Sequence, residues 1–199
     1  MKPSRRQFLV AGAGAGVTIL TGCIAEAPED NGDENDGTPE DLPGPVTDYT
    51  VVSVTREYAG DWWREPDDGP GIAVVLTDPD EVRAVVETDE EVEQFIDETD
   101  FAADAVYYLE GVGPNACYSR LDVEELVVIV NGDYTLQATV RARDVSDDDE
   151  DCPQVHSFPS VLLRVESEVT IDDATFRMVD GWENEDSVSP MDIGTFAQE

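Results

Sequence analysis

His156, the adjacent tryptophans Trp62 and Trp63, and the carboxylates are the side chains of this chain with the widest chemical range. A single histidine removes several mechanisms at once. Zinc hydrolysis of the H-E-x-x-H type needs two histidines on one helix face. A blue-copper centre needs two histidines, a cysteine and usually a methionine; Cys152, His156, Met178 and Met191 leave it one imidazole short. A Ser-His-Asp triad through His156 is arithmetically open, but no G-x-S-x-G turn presents a serine. His156 is therefore read as sitting in a loop or packing beside Phe158. Paired-carboxylate catalysis requires two acids at a set separation, and with 47 Asp and Glu in the chain the residue type alone locates no pair. No catalytic residue, metal ligand or cofactor is assigned on these grounds. A small extracellular hydrolase using carboxylates and His156 stands as the alternative to a non-catalytic binding module.

Trp62 and Trp63 lie between Gly60-Asp61 and Arg64-Glu65-Pro66, a loop composition. Paired loop aromatics stack on sugars or anchor a protein partner; they also serve to cap the open end of a β barrel. They are the candidate partner-binding residues.

The elements that would position such residues begin near Tyr49. From there to the end Val outnumbers Leu 23 to 7, and β-branched enrichment of that size favours strands. Strands are expected over residues 49–58, 72–77, 105–112, 121–130, 134–145, 161–171 and 175–179. Asn131-Gly132 between two of them is the strongest short hairpin signal in the chain. In the 161–171 strand Val161, Leu163, Val165 and Val169 share the core parity, so Arg164, Glu166 and Glu168 should face water. Thr88-Asp89-Glu90-Glu91 reads as a capping box ahead of Val92, Phe95 and Ile96, which predicts one helix over 89–98. Val82, Val85 and Val86 have helical spacing but β-branched character, and either element fits. The tail after Trp182 is polar and reads as loosely held. The pattern predicts a mostly β (α+β) domain over 49–199: an antiparallel sandwich or open barrel of about six to eight strands with one inserted helix.

Charge bounds the partners. The formal net charge is -36, and all three basic residues of the first 22 lie in a stretch without acids. From Cys23 onward eight arginines face 47 acids with no lysine, a balance of -39. Nucleic-acid binding depends on clustered Lys and Arg releasing counterions, so it is excluded.

The N-terminus carries the most specific pattern. Ser4-Arg5-Arg6-Gln7-Phe8-Leu9 precedes an uncharged stretch from Phe8 to Gly22 broken by Gly12, Gly14 and Gly16. That stretch is shorter than the roughly 20 residues of a spanning helix and has the plan of an export signal. It resembles the twin-arginine motif, with Val10 where that motif often has Lys. Leu20-Thr21-Gly22-Cys23 resembles a lipobox. The resemblance implies a signal over 1–22, a diacylglyceryl group on Cys23, and anchoring by two acyl chains. Residues 23–48, dense in acids and carrying Pro28, Pro39, Pro43 and Pro45, would be a disordered acidic tether. With Cys23 lipidated, Cys117 and Cys152 are left outside the cell. They flank the expected hairpin without C-x-x-C or zinc spacing, so a structural disulfide is expected. The whole plan is similar to the haloarchaeal twin-arginine lipoproteins of unknown function. That resemblance implies a cell-surface location at the outer face of the membrane and an acidic surface suited to high salt. Its partners would be a surface protein or a small ligand.

Overall fold

The computed structural model describes residues 44–56, 69–146 and 151–196. In chain order the elements are β1 (Val46–Val54), β2 (Gly71–Leu76), α1 (Pro79–Val85), α2 (Glu90–Glu98), β3 (Ala105–Gly111), β4 (Tyr118–Val130), β5 (Tyr134–Asp144), β6 (Ser160–Ser167), β7 (Asp173–Val179), β8 (Glu185–Val188), β9 (Met191–Asp192) and α3 (Ile193–Phe196). The strands form two sheets, ordered β1-β6-β3-β2-β9 and β4-β5-β7-β8. They pack as a sandwich, not a closed barrel, so the mostly β expectation holds.

Two features depart from a purely antiparallel arrangement: β5 pairs with β7, and β2 with β9, in parallel. The first has a simple cause. After β5 the chain crosses to the other sheet for β6, which lies between β1 and β3, and then returns. Two reversals restore the original direction, so β7 runs alongside β5.

One core lies between the sheets. Leu109, Val161, Leu163 and Val165 of the first sheet meet Leu136, Val140, Phe176 and Met178 of the second, with Tyr107 edge-on to Phe176 at 5.1 Å between centroids. A second core lies on the other side of the first sheet. There Val74, Val106, Tyr108 and Leu162 pack under Val82, Val85, Val92, Phe95 and Ile96 of the two helices. The first sheet is thus buried on both faces, and β6 reads as a buried run from Ser160 to Val165 instead of alternating. This corrects the expectation for Arg164. It is 7 % exposed, with its guanidinium over the Phe95 ring at 5.8 Å and bonded to Thr50 Oγ1 at 3.0 Å.

The ambiguous 79–85 segment is a helix because its start is well capped: Asp78 accepts from the Asp80 and Glu81 amides and Pro79 occupies the first turn. In α2 the cap falls one residue later than expected, on Asp89, which accepts from Val92 N at 2.9 Å. Arg83 joins the helices through Glu93, 2.8 Å away.

The tail after Trp182 is also ordered. Asp180, buried, accepts from the amides of Trp182 and Asn184 and from the Asn184 side chain. That turn sends β8 back along β7. The dipeptide Asp180-Gly181 was a usable turn signal.

Candidate functional site

Of the residues singled out in the sequence, Arg5, Arg6, Cys23, Trp62 and Trp63 lie outside the described residues. Cys117 and Cys152 are bonded, with Cα atoms 5.6 Å apart. Backbone bonds frame the bridge: Ala116 N donates to Pro153 O, and Val145 N to Cys117 O, each at 3.0 Å. The Asp144 carboxylate shares a cluster with both sulfurs, but sulfurs joined to each other are not thiolate ligands. A structural disulfide points to an oxidising, extracytoplasmic compartment. His156 sits exposed in a loop, edge-on to Trp182 with ring centroids 5.5 Å apart.

A buried polar group lies in the first sheet. Glu110, fully buried, accepts from Tyr108 Oη at 2.5 Å and from Arg56 Nη1 at 2.7 Å. Burial pushes the Tyr108 hydroxyl well above the usual phenol range, and the Glu110 carboxylate adds to the shift. Glu110 belongs to β3, and Arg56 follows β1. The group fastens the exit of β1 under the helical cover, away from water.

The solvent-facing side of the second sheet differs. Among the described residues it has no helical cover, and its side chains form two cross-strand rows: Glu124, Thr139, Arg177 and Ser187, then Val127, Gln137 and Thr175. Between them lies an open trough of about 420 Å³, lined by Glu125, Gln137, Thr139, Thr175, Arg177 and Ser187 over Val127 and Ala138. Its volume falls within the usual range of small-ligand sites.

A β-bulge builds one wall of the trough. The register between β4 and β5 shifts between Glu124 and Val127, so one extra residue is accommodated there. Glu125 takes a left-handed backbone with φ of 52°. A residue with a Cβ disfavours that region by roughly 1–2 kcal/mol. Its carboxylate accepts from Thr139 Oγ1 at 3.0 Å. The sequence held a trace of this: core parity in β4 is odd at Leu121 and Val123 but even at Leu126 and Val128. An inserted residue is the simplest way to change parity within one strand.

The same face gathers charge of both signs. Arg120, Arg141, Arg143 and Arg177, half the eight arginines after Cys23, all lie on it. Each is paired with an acid. Arg143 bridges Asp122, at 3.0 Å, and Glu124; Arg120 binds Asp122 and Arg141 binds Glu183, both at 2.8 Å; Arg177 pairs with Glu185. Four arginines thus stand among four paired acids, with Glu125 and Asp173 also on this side, a far milder imbalance than eight arginines against 47 acids after Cys23.

Fold and face together define a disulfide-bonded β-sandwich of mixed sheets, covered by helices on one side and open on the other. That class fixes no activity by itself. No family model, no curated protein and no solved structure matches the chain.

Proposed function

We propose that this protein is a non-catalytic binding module held at the outer face of a halophile's membrane through a lipid on Cys23, and that it receives its ligand on the open face of the second sheet. The observation that carries the reading is the trough of about 420 Å³ set in a face where four arginines are held among acids. The disulfide supports an extracytoplasmic site of action. The acid-rich, lysine-free composition suits near-molar salt, where the Debye length falls to about 3 Å and self-repulsion is screened.

Filling the trough tests the reading. Ligands that bind only the folded state raise its melting temperature. In a thermal-shift panel of charged, zwitterionic and uncharged small solutes in molar potassium chloride, at least one should stabilise the full chain. The same solute should have no effect on Gln137→Trp. A panel without a single shift, or shifts that survive in Gln137→Trp, would remove the trough as the binding site. The anchor is tested separately: Cys23→Ser should release the domain into the medium, and a variant that stays with the membrane would count against lipidation.

A further inference from the structure

We infer that the ligand of the trough is a small zwitterion with a primary ammonium and a carboxylate, an α-amino acid or the like. This rests on the trough being a binding site. The chemistry of its walls then narrows the class.

Glu125 and Arg177 bring opposite charges to the two sides of one cavity. Neither neutralises the other. Glu125 is held over β5 by Thr139 Oγ1 at 3.0 Å, whereas Arg177 pairs with Glu185 on the β8 side. Thr139 and Arg177 are register partners on adjacent strands, so their backbones are about 4.8 Å apart. Between the two charges the lining is neutral and rich in hydrogen-bonding groups: Gln137, Thr139, Thr175 and Ser187. The arrangement offers an acceptor for an ammonium on one side, the guanidinium N–H groups that Glu185 does not use for a carboxylate on the other, and short polar groups in the middle.

Other ligand classes fit less well. A simple anion would use Arg177 alone and would meet Glu125 and Glu185, the acid already paired with Arg177, at contact range. A simple cation meets 47 carboxylates along the chain, so one glutamate in a trough gives it no preference. A quaternary ammonium is normally held by an aromatic cage, and no aromatic ring is among the residues lining the trough. A zwitterion has no net charge to be repelled, and it alone uses both walls. The left-handed backbone of Glu125 fits the same picture, because the bulge brings an acid to the wall of a cavity that already holds Arg177.

The test is calorimetric titration of the full chain in molar potassium chloride with glycine, L-alanine, acetate, methylammonium and glycerol. Glycine or L-alanine should bind, with acetate, methylammonium and glycerol each weaker by about tenfold or more, the factor that one charge-assisted contact commands. Glu125→Gln and Arg177→Gln should each weaken amino-acid binding by a similar factor, with circular dichroism confirming the fold. Glu125→Gln keeps an acceptor for Thr139, so it remains a fair test if Arg177→Gln does not fold. Glycerol or a single-charge probe that matches L-alanine, with binding still abolished by Gln137→Trp, overturns the zwitterion and leaves the trough. Binding that ignores Gln137→Trp, or five probes that all fail to bind, overturns the inference, and the former also removes the trough as the site.

Discussion

The two outward-facing layers of this sandwich solve opposite problems. The helical layer, residues 78–104, carries twelve acids and one arginine, yet its inner side is wholly apolar: Val82, Val85, Val92, Phe95 and Ile96 are each at most 5 % exposed. The open face of the second sheet carries four arginines interleaved with acids, and among the described residues no helix packs over it. One layer is solvated by charge of a single sign, and packing decides its stability. In the other, charges of both signs are fixed in a two-dimensional lattice by the strand register. The two layers therefore differ in what fixes them: apolar packing beneath one, cross-strand ion pairs over the other.

Substitutions that separate the layers can break this contrast. The largest effect is expected at Phe95, whose replacement by alanine should cost about 3–5 kcal/mol in chemical denaturation, through lost burial and the cavity left over Arg164. A loss below about 1 kcal/mol would mean that the helical cover adds little to the core. Next comes the bridge. Replacing both Cys117 and Cys152 by alanine should cost about 2–4 kcal/mol, since they close a 35-residue separation. The loss should fall chiefly on protection of β4 and β5 in hydrogen exchange, because the second sheet lacks a helical brace. Uniform loss across both sheets would erase that distinction. The smallest effect is expected at Gln137, exposed in the middle of the trough. Alanine there should change stability by no more than about 0.5 kcal/mol. A large loss would make the trough part of the scaffold.

The sequence revealed what depends on neighbours along the chain. Asn131-Gly132 announced the β4–β5 hairpin, and Gly132 indeed has φ of 103° there. Asp89 and the apolar stripe behind it announced α2 to within a residue. Cys117 and Cys152 were legible as partners because the same hairpin brings their flanks together. What stayed hidden depends on contacts across the fold. Alternation in β6 correctly placed Val161, Leu163 and Val165 in the core. It could not show that helices from another part of the chain cover the opposite side and bury Arg164. The parallel β5–β7 pair follows from a crossing between sheets that no local pattern records. The trough escaped for the same reason: Glu125, Thr139 and Arg177 are ordinary polar residues until three strands align them.

The position of β6 also bears on when this domain can fold. The strand β6 joins β1 to the rest of the first sheet, and Val46 must find Ser167 to do so. An emerging chain can close the β4–β5 hairpin early, but β1 has no partner in the first sheet until β6 has left the ribosome. Pairing over such sequence distances carries a large loop-closure cost and belongs to the slow end of folding rates. Assembly of the first sheet therefore waits for β6. Fragments ending before Ser160 would leave both β1 and β3 with a bare edge, open to pairing with other chains.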